Sequence, residues 1–152
     1  MSHISHVYHI VFRTKYSENV IPFEHEQKLY AYLYGIIKEQ GGYTYRIGGM
    51  PNHIHILCSI PSTIQVSKFI MNLKRSSSLY LSSSEVSPFF PNFKGWAAKF
   101  GSFTRCTSSI EQQIQYIKSQ KEHHKHNSFE EEYIALLREA RVEFDERYLF
   151  VD

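Results

Sequence analysis

The chain has 152 residues, 42% of them hydrophobic and 21% charged, with a net charge of +2. That length suits one domain with a proper core, read as residues 1–152, and the composition excludes a disordered or collagen-like chain. Cys58 and Cys106 give neither a disulfide framework nor zinc-finger spacing, no stretch is apolar enough to span a bilayer, and no signal peptide is evident, so a reducing cytoplasm is the expected location.

Residues 5–16 alternate, with His6, Tyr8, Ile10 and Phe12 on one side and Val7, His9, Val11 and Arg13 on the other. This predicts a first strand, apolar enough on both faces to be central. His9 and Arg13 share a face, and His9 reads either as core or as part of a site. Pro22 opens an amphipathic helix through Leu29, Leu33, Ile36 and Ile37 that stops at Gly41-Gly42. Residues 43–47 form a second strand, and Gly48-Gly49-Met50-Pro51-Asn52 a tight connection. The third strand is His53-Ile54-His55-Ile56-Leu57-Cys58-Ser59. Its alternation puts His53 and His55 on one face, and the simplest use of two imidazoles on an otherwise apolar strand is to hold a metal ion.

Thr63 caps a second amphipathic helix with Val66, Phe69, Ile70 and Leu73 inward and Lys68, Lys74 and Arg75 outward. Serines at 76–78 and 82–84 predict a soft region, and Pro88, Pro91 and Gly95 a loop. Trp96 and residues 100–107 supply a fourth strand, with Cys106, like Cys58, a small core residue. The order strand-helix-strand-strand-helix-strand is that of an α+β fold, a four-stranded antiparallel sheet with helices on one face. The open face of such a sheet commonly carries nucleic acid.

A third helix over residues 110–123 puts Tyr116 and Gln120 one turn apart on one face. By periodicity alone Tyr116 belongs with Ile110, Ile114 and Ile117 in an apolar stripe. The run Glu122-His123-His124-Lys125-His126 reads as a metal-binding tract or as a solvated helix end. Ser128 caps a fourth helix with Glu130, Glu131 and Glu132 in its first turn, where the helix dipole favours acids. Residues 142–150 read as a short strand or extended arm. Residues 64–108 carry six basic side chains against Glu85 alone, whereas residues 127–152 carry eight acids against three arginines. The basic middle is either a footprint for a phosphate backbone or a solvated basic face.

With both constellations placed, the chain resembles the single-tyrosine HUH transposases of the small IS-two-hundred-type insertion sequences and their domesticated, palindrome-associated relatives. The likeness rests on Pro51-Asn52-His53-Ile54-His55-Ile56-Leu57, on Tyr116-Ile117-Lys118-Ser119-Gln120-Lys121-Glu122-His123-His124 and on the C-terminal segments around 128–133 and 143–148. The Trp-Gln and Gly-Tyr-Gly found in many members survive only as Trp96 and Gly101.

The resemblance implies a ferredoxin-like HUH fold with a C-terminal nucleophile helix and cleavage and rejoining of single-stranded DNA. Tyr116 would be the nucleophile, forming a 5′-phosphotyrosine. His53, His55 and Gln120 would bind one divalent cation, magnesium or manganese. The implied partners are single-stranded DNA hairpins at element ends and a second copy of the chain, in a homodimer that can exchange the tyrosine helix, working at the bacterial nucleoid. Arg13, Lys68, Lys74, Arg75, Lys94 and Arg105 are the candidate phosphate contacts. Two other functions compete: a non-catalytic nucleic-acid-binding module, and a metal-dependent phosphodiesterase that activates water.

Overall fold

The computed structural model describes residues 2–152. Strands β1 (Val7–Arg13), β2 (Tyr43–Met50), β3 (His53–Ser59) and β4 (Gly101–Arg105) form one antiparallel sheet in the order β2-β3-β1-β4. The two inner strands, β1 and β3, are the ones whose residues are apolar on both faces, and both are buried almost throughout.

Helices α1 (Glu26–Glu39) and α2 (Val66–Ser82) cover one face. There Ile10 and Phe12 of β1 and Ile54, Ile56 and Cys58 of β3 meet Leu29, Leu33 and Ile37 of α1 and Phe69, Ile70 and Leu73 of α2. Each of these large aliphatic and aromatic side chains, fully withdrawn from water, contributes about 1.5–3 kcal/mol. The first serine run, 76–78, and Ser82 lie within α2, which ends there, so most of the serine-rich stretch is helix rather than a soft segment. Ser77 is buried and donates to the Leu73 carbonyl at 2.6 Å while accepting from the Trp96 indole at 2.9 Å, so its hydroxyl is satisfied inside the core. Thr63 is not the cap, because α2 begins at Val66 after Gln65 and no side chain caps it.

The second face is not open. Helices α3 (Ile110–Lys118) and α4 (Gln120–His123) lie over β2 and β3, and α5 (Phe129–Glu139) packs Phe129, Tyr133, Leu136 and Leu137 on Val11 and Phe103. Residues 142–150 hold a short helix, α6 (Glu146–Leu149), rather than a strand. Ser128 does cap α5, in a reciprocal capping box with Glu131.

Two further expectations give way for physical reasons. Gly48 and Gly49 are not a turn: they continue β2, and only Pro51-Asn52 turns the chain into β3. A Cβ on Gly48 would stand 2.8 Å from Ile117 Cγ2 and 2.9 Å from the Ile117 carbonyl oxygen, so the glycine is what lets α3 lie directly on the strand. Cys106 is exposed, since β4 ends one residue before it, while Cys58 is buried as expected.

Candidate active site

Strand β3 carries His53 and His55 side by side on the second face, both fully buried. The register of β1 against β3 sets Arg13 opposite His53, Val11 opposite His55 and His9 opposite Leu57, so His9 and Arg13 share that face. The helix expected over 110–123 breaks at Ser119 into α3 and α4. Tyr116 on one side of the break and Gln120 on the other still face the histidines.

At the centre stands a side chain that the sequence reading left on a helix surface. Glu132 of α5 is buried, and its Oε1 lies 3.0 Å from His55 Nε2, 3.1 Å from His124 Nε2 and 3.4 Å from His53 Nε2. Its Oε2 accepts from the Tyr116 hydroxyl and, at 2.9 Å, from Gln120 Nε2. Gln120 Oε1 in turn lies 3.2 Å from His53 Nε2 and 2.9 Å from His124 Nε2. Each of the two bridging side chains thus turns one oxygen toward the imidazoles.

The outer nitrogens of these rings fix what the inner ones present. His124 Nδ1 lies 2.8 Å from the Asn127 carbonyl oxygen, which can only accept, so Nδ1 carries the proton. His53 Nδ1 lies 2.7 Å from Asn52 Oδ1 and is read the same way. In the neutral rings, Nε2 of both then aims a lone pair at two oxygen acceptors. Four electron-rich atoms converging in this way, His53 Nε2, His124 Nε2, Glu132 Oε1 and Gln120 Oε1, are satisfied by a cation. Ligating atoms of His53, His55, His124 and Glu132 all fall within 4.8 Å of one another. Metal–ligand bonds of about 2.1 Å give ligand–ligand edges of about 3.0 Å in an octahedron and about 3.4 Å in a tetrahedron, the range of separations found here. The residues fit a divalent metal.

Electrostatics point the same way. Burial holds the His53 imidazole down at about 4 despite the neighbouring carboxylate, so the ring is a free base at neutral pH. Burial alone would push Glu132 up, but the imidazoles of His124, His53 and His55 crowding its oxygens outweigh it and hold the carboxyl well below the usual range. Burial first, and then the Glu132 charge, push the Tyr116 phenol above its ordinary value. The tyrosine is therefore a neutral phenol resting on an ionised carboxylate. It also lines a cavity of about 220 Å³ with His123, Asn127, Glu131, Glu132, Leu136 and Glu139.

The remaining predicted residues scatter. Arg13 is buried, with Nη2 2.7 Å from Asp152 Oδ1, an ion pair by distance though not by hydrogen-bond angle, and Nη1 donates to Ser17 Oγ at 3.2 Å. It is not presented to a ligand. Lys74 donates to the Ala97 and Ala98 carbonyls, at 2.5 and 3.1 Å. Lys68 and Arg75 are exposed on α2, which packs against the opposite face of the sheet. Lys94 pairs with Glu18 at the surface at 3.2 Å. Arg105 ends β4 on the site face, opposite Val7.

Of the two cluster residues outside the expected ligand set, His124 lies in the run read as a metal-binding tract or a solvated helix end, and only Glu132 went unread as a site residue. His124 stands four residues beyond Gln120, which stands four beyond Tyr116, so the helical repeat itself carried the signal. Glu132 occupies the apolar stripe of α5 with Phe129, Tyr133 and Leu136, and an acid in that stripe is the signal that was missed.

Among curated proteins, none matches the chain at a significant level. Among solved structures, the chain is similar to a candidate transposase from Deinococcus radiodurans R1, with a TM-score of 0.61 and 24% identity over 79% of this chain and 95% of that one. It is also similar to a REP-associated tyrosine transposase bound to a REP hairpin, with a TM-score of 0.59 and 13% identity over 82% of this chain and 74% of that one. Both likenesses establish the shared fold. The family model described as "Transposase IS200 like" matches residues 2–120, from ahead of the first strand to Gln120, and stops short of His124 and Glu132. Spanning most of the sequence, that match places this protein in the IS200-like transposase family.

Proposed function

We propose that this protein cleaves and rejoins single-stranded DNA at hairpin-marked ends through a covalent bond to Tyr116. The observation that carries the reading is the Tyr116 hydroxyl resting on Glu132, the carboxylate that also engages His53, His55 and His124. His53, His55, His124, Gln120 and Glu132 would hold one divalent cation. Such a cation supplies Lewis-acid stabilisation of the charge that develops on the scissile phosphate. Magnesium and manganese were the expectation, and three imidazoles favour manganese, because imidazole suits transition metals better than magnesium.

The phenol is protonated at neutral pH, so attack needs a proton acceptor. Glu132 Oε2 is in place for that role. Tyr116 Oη forms a bond to phosphorus, the phenol proton passes to Glu132, and the bond from phosphorus to the 3′-oxygen breaks. The 3′-oxygen takes up a proton, and the 5′ end stays on the tyrosine. One phosphodiester is exchanged for another, so rejoining to a new 3′-hydroxyl needs no nucleotide triphosphate.

The solved relative bound to a REP hairpin supports a folded single strand as the DNA partner. The tyrosine and the histidine pair meet within one chain, which favours action in cis. The homodimer implied by the family resemblance is then not needed to assemble the site.

The test is a denaturing gel of single-stranded DNA from the ends of the protein's own locus, incubated with manganese or with chelator. We expect a metal-dependent protein–DNA adduct that is lost in Tyr116→Phe. Cleavage that persists in Tyr116→Phe would select the water-activating phosphodiesterase, and binding without cleavage the non-catalytic module.

A further inference from the structure

On the sheet face that carries the metal-ligand cluster, β4 ends in a guanidinium with a buried, unmatched donor. Phe103 of β4 pairs with His9 of β1, and Arg105, two residues on, pairs with Val7. The alternation puts Arg105 on the face that carries His9, His55 and Tyr116. Val7 shares with Leu57 and Ile117 a small core against which Ile110, Ile114 and Tyr116 pack, so Arg105 lies beside a strand position in the core that α3 covers. Its guanidinium carbon is 5.8 Å from the Phe103 ring centroid, Phe103 meets His9 edge-on at 6.3 Å, and His9 meets Tyr116 edge-on at 5.9 Å.

Arg105 has nothing of its own to do there. Its Nε is buried without a hydrogen-bond partner, and Nη1 reaches only the carbonyl of the adjacent Thr104, at 3.2 Å. None of the ion pairs among the described residues involves it. A buried donor left unmatched is costly, and such a group is kept where something else satisfies it. The cavity beside Tyr116 is lined by three carboxylates, Glu131, Glu132 and Glu139, the wrong sign for a phosphodiester, and Arg105 lies outside that lining.

We propose that Arg105 is a catalytic residue that grips a non-bridging oxygen of the scissile phosphate on its Tyr116 side. The proposal rests on the tyrosine strand-transfer reading. Arg105 makes and breaks no covalent bond and keeps its proton throughout. Its planar fork supplies two parallel donors to an oxygen pair whose charge grows as the tyrosine attacks. It thereby separates from Lys68, Arg75 and Lys94, which lie away from the nucleophile and at most add to backbone affinity.

The experiment is single-turnover adduct formation with manganese and saturating hairpin DNA, for the wild type, Arg105→Gln and Arg105→Lys. Each is run on an ordinary strand and on one with a neutral methylphosphonate at the cleaved linkage. Arg105→Gln should slow the ordinary strand about 100-fold while shifting the half-saturating DNA concentration less than about threefold, and Arg105→Lys should recover part of the rate. On the methylphosphonate strand the wild type and Arg105→Gln should converge, because the charge that Arg105 meets is gone.

An unchanged rate in Arg105→Gln overturns the proposal, and so does a loss confined to DNA affinity. An equal loss on both strands assigns Arg105 to structure and overturns it as well. A wild type that forms no adduct on Tyr116 overturns the tyrosine reading itself, an outcome distinct from the other three.

Discussion

Glu132 is the residue on which the site turns, because it joins the Tyr116 phenol to the imidazoles through its two oxygens. Removing it leaves His124 and His53 facing only Gln120 and leaves the phenol without its acceptor. Glu132→Ala should weaken manganese binding at least about tenfold and slow adduct formation further, as titration calorimetry and single-turnover kinetics would show. Unchanged metal affinity would remove Glu132 from the ligand set. A second consequence concerns acid. Buried His53 titrates at about 4 in the fold, against 6.5 for the free side chain. Between those values the unfolded chain binds a proton that the native state refuses, so stability present above pH 6.5 is lost as the pH falls toward 4. Glu132, also held low by its imidazole neighbours, adds a loss of the same sign at the acid end. The Tm of metal-free protein should therefore fall steadily from about pH 6.5 downward, and a Tm constant to about pH 4.5 would contradict this account. At this scale the sequence was legible where chemistry repeats at a fixed spacing: His53 with His55, and Tyr116 with Gln120. It was illegible at Glu132, because twelve residues and a turn separate it from Gln120, and only the packing of α5 closes that gap.

Among the elements, α3 matters through its distance from β2. Gly48 sits under Ile117, one residue from Tyr116, and no side chain fits between them. Gly48→Ala should lift α3 by a few tenths of an ångström and carry the Tyr116 hydroxyl out of register with Glu132. We expect a tenfold or greater fall in adduct formation, since small misplacements of a reacting group cost about that much or more, with DNA binding preserved. An unchanged rate would show that α3 tolerates the shift. The glycine pair also shows why strand bounds were hard to read. Gly-Gly followed by Met-Pro-Asn has the composition of a loop, but the glycines answer to a helix that arrives some seventy residues later in the chain. The serine run misled for a similar reason: the Ser77 hydroxyl bonds to the core carbonyl of Leu73 and to the Trp96 indole, partners invisible in local composition.

For the whole molecule, the sheet divides the labour. One face, under α1 and α2, is an apolar core whose alternation was plain in the sequence, and it fixes β1 and β3 rigidly. The other face presents the histidines of β3 to helices that come last in the chain. The uneven charge in the sequence does not map onto one patch: Arg13 and Lys74 are used internally, while Lys68 and Arg75 lie on the helix layer away from the site. Because His53 and His55 come from β3, Gln120 from α4 and Glu132 from α5, a cation held by them would tie the C-terminal helices to the sheet, and its binding energy would become folding energy. Manganese at a hundred times its Kd should stabilise the protein by about 2.7 kcal/mol, roughly 5–10 °C in Tm, and chelation should reverse it. A Tm indifferent to manganese would contradict a metal centre that bridges these elements. The central claim is that Tyr116 becomes bonded to the DNA 5′ end, and mass spectrometry of the nuclease- and protease-digested reaction tests it most directly. The account predicts a nucleotide 5′-phosphate on the peptide carrying Tyr116, formed only with divalent metal. DNA cleaved to free 5′-phosphate ends with an unmodified Tyr116 peptide, or a nucleotide on another residue, would contradict it.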